Sequence, residues 1–141
     1  MNGFCVRIVP WDEHAGTLRA IRDRVFIEEQ RVPENLERDP RDPSYVHALA
    51  ETGAGEPIGT GRLLPGGKIG RMAVLPEWRS RRVGSALLEA LISVARERGD
   101  REIVLDAQVS AEVFYRRQGF SSEGDVFMDA GIPHVRMRLA L

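Results

Sequence analysis

The sequence predicts one domain of mixed α and β structure, and three observations predict it. The chain has 141 residues, the size of a single domain, and no linker divides it, so residues 1–141 are read as one unit. Three short β-patterned runs between residues 45 and 75, separated by turn residues, suggest an antiparallel meander. A helical period, a compact apolar run and a second short helix then alternate beyond Pro76.

In chain order, Phe4 to Val9 reads as a strand. Thr17 to Gln30 reads as a helix, because Leu18, Ile21, Val25 and Phe26 recur at helical spacing and Pro33 ends it. Pro33 to Ser44, with its Pro residues and Asp/Arg pairs, reads as an irregular loop of the kind that lines a site. The meander strands are Tyr45 to Glu51, Pro57 to Leu64 and Lys68 to Leu75, with Thr52-Gly53-Ala54-Gly55 and Pro65-Gly66-Gly67 as turns. Val83, Leu87, Ala90, Leu91 and Val94 mark the face of the clearest helix, which Gly99 stops. Ile103 to Leu105 form an apolar strand, and a short helix follows from about Ser110 to Gln118. At the end Val135, Met137, Leu139 and Leu141 alternate with His134, Arg136 and Arg138, the period of a strand with one buried face.

Composition narrows the function. The residues are 43% hydrophobic and 29% charged, as in an ordinary globular protein. A formal net charge of -1 supplies no global field for nucleic acid or an anionic membrane, so the expected partner is small. No signal peptide or membrane anchor is recognisable, and a cytoplasmic protein is expected. Cys5, the single cysteine, sits in an apolar strand and is expected to be buried and inert. His14, His47 and His134 lack metal-ligand spacing, so no metal is expected.

The chemistry concentrates where Val74-Leu75-Pro76-Glu77-Trp78-Arg79-Ser80-Arg81-Arg82-Val83-Gly84-Ser85-Ala86 runs from a strand end through a basic turn into the apolar helix. The first N–H groups of a helix lack internal acceptors and carry the positive end of its dipole, so a pyrophosphate satisfies several at once. Small Gly84, Ser85 and Ala86 leave it room, and Arg79, Arg81 and Arg82 add guanidinium groups. By itself the same pattern also describes a helix start with a solvated basic turn. Two rival phosphate motifs fail on counting. Lys68 comes one residue late for a P-loop that would begin at Gly61, and Leu64 replaces the third glycine of a dinucleotide-binding pattern that would begin at Gly59.

Arg81-Arg82-Val83-Gly84-Ser85-Ala86 resembles the Q/R-x-x-G-x-G/A motif of the GNAT superfamily of N-acetyltransferases. Gln108, Ala111, Phe114, Tyr115, Gly119 and Phe120 resemble its N-x-x-A-x-x-F-Y-x-x-x-G-F pattern, with Gln in place of Asn. Val25 to Gln30, Gly59 to Leu63, Arg71 to Val74 and Gly131 to His134 look like the ElaA/YjcF-type subgroup. Ser80 and Arg82 depart from it, standing where many relatives have glycine.

The resemblance implies a three-layer α+β fold. Its bent, mostly antiparallel mixed sheet is splayed between the fourth and fifth strands and has helices on both faces. It implies acetyl-CoA as co-substrate, a primary amine as acceptor, direct transfer between them, and a homodimer. Backbone groups at Met72, Ala73 and Val74 would hold the pantetheine arm, Gln108 and Phe114 would line it, and Tyr115 would protonate the leaving thiolate. For the base that relieves the amine of its proton, His134 and Glu28 are the first candidates, followed by Glu29 and His47. A non-catalytic acyl-CoA-binding domain, or a transferase using another acyl donor, is the alternative reading.

Overall fold

The computed structural model describes residues 3–141, and its strands fall into two antiparallel blocks. The first joins β1 (Phe4–Val9), β2 (Val46–Thr52), β3 (Pro57–Leu63) and β4 (Ile69–Val74) in sequence order. The second orders β5 (Glu102–Gln108), β7 (Ile132–Ala140) and β6 (Ser121–Asp129). The blocks touch where Lys68 and Val104 form a parallel bridge and Val104 N–H donates to Gly67 O at 3.0 Å. Beyond that apex β4 and β5 part, as the resemblance implies.

The contact demands Gly67. Its φ is 90°, and a Cβ there would lie 3.3 Å from Glu102 C and still closer to Glu102 O. Gly61 answers a similar constraint, because an added Cβ would meet Met72 Sδ and come within 3.1 Å of Leu91 Cδ1. The Gly-Thr-Gly of β3 thus brings the sheet close under α3 (Val83–Glu97). α3 buries Val83, Leu87, Leu88, Leu91, Ile92 and Ala95 over both blocks, with each leucine contributing roughly 1.5–3 kcal/mol. A second cluster, including Trp11, Leu18, Ile21, Val25 and Leu49, packs α1 (Trp11–Arg22) against the first block. α2 (Glu34–Glu37) and α4 (Glu112–Arg117) are short.

Four expectations are corrected. The first helix begins at Trp11 rather than Thr17, and past Arg22 it continues as a π-helix from Asp23 to Glu29, with Gln30 N–H reaching back to Val25 O. The loop from Pro33 to Ser44 includes the single turn of α2. A strand, β6, occupies Ser121–Asp129, where the sequence suggests none. All nine of its residues are exposed, so no apolar alternation announces it, and it is held through pairing with β7. Cys5 is exposed, because the alternation of β1 covers Phe4 and Val6 and turns Cys5 outward.

Charged residues also enter the interior. Arg22, Glu37, Asp42 and His47 are each 1% exposed, and Arg62 is 6% exposed. Glu37 Oε2 accepts from Arg22 Nε at 2.7 Å, Arg22 Nη2 lies 3.0 Å from Asp42 Oδ2, and Arg62 Nη1 donates to Asp42 Oδ1 at 2.8 Å. His47 Nε2 donates to Asp42 O at 2.8 Å. This network fastens the 33–45 segment to α1 and β3, replacing the apolar contacts that its sequence lacks.

Candidate active site

The divergence of β4 and β5 leaves a cleft of about 990 Å³, lined from the π-helix, β4, the α3 N-terminus, β5, α4 and the β6–β7 turn. Its β4 wall exposes backbone. Leu75 N–H donates to Ile58 O at 2.9 Å, so by antiparallel alternation the N–H and C=O of Val74 turn away from β3, toward the cleft. Arg71 and Met72 together oppose Gly61, a bulge that places Arg71 at φ 49°. Met72, Ala73 and Val74 all line the cleft.

At the mouth, the basic turn enters α3 through two left-handed residues, Ser80 at φ 61° and Arg82 at φ 68°. These are the positions at which the sequence departs from glycine. Arg82 is the N-cap, and the first helical hydrogen bond runs from Ala86 N–H to Arg82 O at 3.1 Å. No side chain caps the helix, so the N–H groups of Val83, Gly84 and Ser85 face the cleft mouth without intrahelical acceptors. An added Cβ at Gly84 would come no closer than 3.5 Å to Phe114 Cζ, so packing alone does not require glycine there.

The three arginines behave differently. Arg79 is committed: Nη1 and Nη2 each donate to Glu29 at 2.7 Å, and Nε donates to Val74 O at 3.0 Å. That pair depresses the Glu29 carboxyl below its ordinary range. Arg81 lies over the Trp78 ring, 5.0 Å from its centroid, outside the cleft lining, while Arg82 lines it. Ala86 lies one turn inside the helix and does not line the cleft.

Deeper in, Gln108, Phe114, Tyr115 and His134 come together from β5, α4 and β7. Gln108 Nε2 donates to Gln30 Oε1 at 2.9 Å, linking the end of β5 to the residue that follows the π-helix. Tyr115 packs edge-on to Phe114 and Phe120 at 5.0 and 5.7 Å, and burial pushes its hydroxyl up to about 12. His134 Nδ1 lies 2.7 Å from Ile132 O. A carbonyl only accepts, so Nδ1 carries the proton and the neutral ring keeps its free lone pair on Nε2. Phe127 stacks on the ring at 5.9 Å between centroids.

The remaining base candidates lie elsewhere. Glu28 is exposed and does not line the cleft, and Glu29 lines it but is held by Arg79. His47 packs at a tilt against Trp11, 4.8 Å between ring centroids, inside the buried network, where desolvation lowers its pKa. Sequence reasoning missed Arg62, Arg71 and Glu37 on the cleft wall. The available signal was an arginine on an apolar stripe: Arg22 follows Leu18 and Ile21 on the face that packs inward, and Arg62 follows the buried Ile58 and Thr60.

Among the described residues no group of three or more His, Cys, Asp or Glu could hold a metal ion, and no helix is long and apolar enough to cross a membrane.

Comparison with known proteins agrees with this geometry. Residues 12–141 match the model of the acetyltransferase (GNAT) domain. The chain is 38% identical over 122 residues to the uncharacterized N-acetyltransferase YjcF of Bacillus subtilis, a match covering 83% of this chain and 86% of that protein. Among solved structures, an acyl-CoA N-acyltransferase from Pseudomonas aeruginosa superposes with a TM-score of 0.85 at 26% identity, covering 96% of this chain and 99% of that one. Escherichia coli ElaA superposes with a TM-score of 0.83 at 25% identity, covering 94% and 97%. A splayed sheet, an uncapped helix at the mouth of the splay and these likenesses lead to one assignment: the chain belongs to the GNAT acetyltransferases, in the ElaA/YjcF-like subgroup.

Proposed function

We propose that the cleft binds acetyl-CoA and that the chain passes its acetyl group directly to a primary amine held in the same cleft. The observation that carries this reading is the uncapped N-terminus of α3 opening onto the gap between β4 and β5. The amides of Val83, Gly84 and Ser85 receive the pyrophosphate, and Arg82 and Arg81 supply charge at its rim. Arg79 joins them when phosphate oxygens replace Glu29. The pantetheine arm pairs with the exposed edge of Met72, Ala73 and Val74, as an added strand pairs with a sheet edge, and passes between Gln108 and Phe114.

The reaction needs a neutral amine, a polarised carbonyl and relief for the leaving thiolate. Nε2 of His134 takes the proton that the amine sheds. Tyr115 faces the thiolate. With its hydroxyl at about 12 and a thiol near 8.5, complete proton transfer would be uphill by about 5 kcal/mol. Tyr115 therefore stabilises the thiolate by donating a hydrogen bond, and the thiol receives its final proton as the nitrogen of the tetrahedral adduct sheds one to become the amide.

Calorimetric titration with acetyl-CoA, followed by a thiol-release assay across a panel of amines, tests the reading. Saturable binding with amine-dependent thiol release is expected. Binding without release from any amine would leave a non-catalytic acyl-CoA-binding domain, and no binding would remove the donor site.

A further inference from the structure

We propose that the acceptor amine carries an anionic oxygen group, a carboxylate or a phosphate, and that Arg71 with Arg62 binds it on the β4 wall of the cleft. The inference rests on the acetyl-transfer reading above and narrows its acceptor.

The carboxylate nearest Arg71 is already engaged. Glu37 Oε2 takes Arg22 Nε at 2.7 Å and Nη2 at 2.6 Å, and its Oε1 takes Arg38 Nη1 at 2.7 Å. A carboxylate offers about four lone-pair sites, and three here are occupied by shorter contacts. Arg71 Nε is left 3.4 Å from Oε2, buried and without a hydrogen bond. Its Nη2 reaches the carbonyls of Leu36 and Glu37 at 3.3 and 3.2 Å, long for charged donors. Arg62 Nη1 is satisfied by Asp39 and Asp42 at 2.9 and 2.8 Å, but its Nε is likewise buried without a partner.

Both arginines line the cleft, and the Arg71 side chain is 32% exposed, so a ligand can reach it. Burial, and then Arg62 and Arg22 nearby, lower the Arg71 pKa from its ordinary value, and Glu37 and Asp39 oppose this only in part; an incoming anion favours the charged form. Three acids that line the cleft are engaged elsewhere: Glu37 is taken up by Arg22 and Arg38, Asp106 pairs with Arg136 at 3.0 Å and lies 3.4 Å from Lys68, and Glu29 pairs with Arg79. Arg71 also adjoins Met72 on the bulge, beside the backbone assigned to the pantetheine arm, so an anion held there belongs to the acceptor's end of the reaction.

The test compares amines in matched pairs: a set of α-, β- and γ-amino acids against their carboxamides, and phosphoethanolamine against ethanolamine. Wild-type protein and Arg71→Gln and Arg71→Lys variants are used, with acetyl-CoA binding measured separately by calorimetry. An anionic member preferred by about 10- to 100-fold in kcat/KM is expected, the worth of one charge-assisted hydrogen bond. Whichever pair shows the preference identifies carboxylate or phosphate. Arg71→Gln should bring that ratio near one, and Arg71→Lys, which keeps charge without the planar fork, should restore part of it. A merely structural arginine would depress both members and leave the ratio unchanged. Equal use of charged and uncharged partners, or a ratio unmoved by Arg71→Gln, overturns the proposal while acetyl-CoA binding leaves the acetyl-transfer reading standing. Loss of acetyl-CoA binding in the wild type would overturn both.

Discussion

Two adjacent glycines separate backbone freedom from close approach. Gly66 and Gly67 both have positive φ, 82° and 90°, but an added Cβ meets nothing within 4 Å at Gly66, whereas at Gly67 it enters Glu102 O. Gly66→Ala therefore meets only the left-handed penalty of about 1–2 kcal/mol, partly offset by the reduced freedom of the unfolded chain, for a net loss of about 1 kcal/mol. Gly67→Ala bears the same term and a steric one. Real Cβ atoms essentially never approach within 3.0 Å, and here the obstacle is backbone, so β5 must move away from the turn. That movement stretches the 3.0 Å hydrogen bond from Val104 N–H to Gly67 O, worth about 1 kcal/mol, and adds overpacking strain of about 1–3 kcal/mol. Urea unfolding followed by the fluorescence of Trp11 and Trp78 should then show Gly67→Ala less stable than Gly66→Ala by about 2–4 kcal/mol, with similar m values. A difference below about 1 kcal/mol would mean that the apex of the cleft is not held by this contact, and the reasoning would fail.

Four further outcomes are expected. Tyr115→Phe should lower turnover by about 10²- to 10⁴-fold while leaving urea stability nearly unchanged, since the hydroxyl makes no side-chain hydrogen bond among the described residues. With that hydroxyl at about 12, the wild-type pH–rate profile should show no alkaline loss from Tyr115 through pH 10, and a loss centred at 10 would contradict the burial argument. Gly84→Asp places a carboxylate among the free amides of α3; thermal melts should show equal or greater stability, because an acid in the first turn is favourable by about 0.3–1 kcal/mol, while calorimetry should show acetyl-CoA affinity falling by roughly 100-fold. His47 has a lowered folded pKa, so the unfolded chain takes up its proton first. Stability is therefore complete above the unfolded value of 6.5 and declines as pH falls from there toward the folded value, by at most about 1.4 kcal/mol per unit. His47→Gln, compared by urea midpoints between pH 5 and pH 8, should flatten this slope.

The elements legible in the sequence are those that bury one face. α3 shows its stripe of Val83, Leu87 and Leu91, and β7 alternates Val135 and Met137 with outward arginines, so period and burial agree. β6 was illegible because it buries no face: Ser121–Asp129 has nine exposed residues and a break in register between Glu123 and Phe127. Its existence depends on the backbone of β7, which local pattern does not encode. The turn that opens α3 onto the cleft was legible because glycine, serine and arginine cluster at a helix start. The charged wall of the cleft was not, since Glu37, Arg62 and Arg71 come from three separated segments. Charged residues in such a list read as solvated until the fold brings them together.

Backbone strain marks the same wall independently of charge. Among the described residues, those other than glycine with positive φ are Arg31, Arg71, Ser80, Arg82 and Ala130. Arg71, Ser80, Arg82 and Ala130 line the cleft, and Arg31 stands between Gln30 and Val32, which also line it. Each costs of order 1–3 kcal/mol, and such conformations persist only where their surroundings enforce them. Ala130 belongs to the β6–β7 turn, whereas Arg71, Ser80 and Arg82 place this cost where backbone N–H groups and guanidinium side chains face the cleft. At Ser80 and Arg82 the strain turns the chain into the uncapped start of α3, and at Arg71 it accompanies the bulge on which that guanidinium sits. The start of α3 and the β4 bulge are thus shaped by the same device, a left-handed residue at a bend.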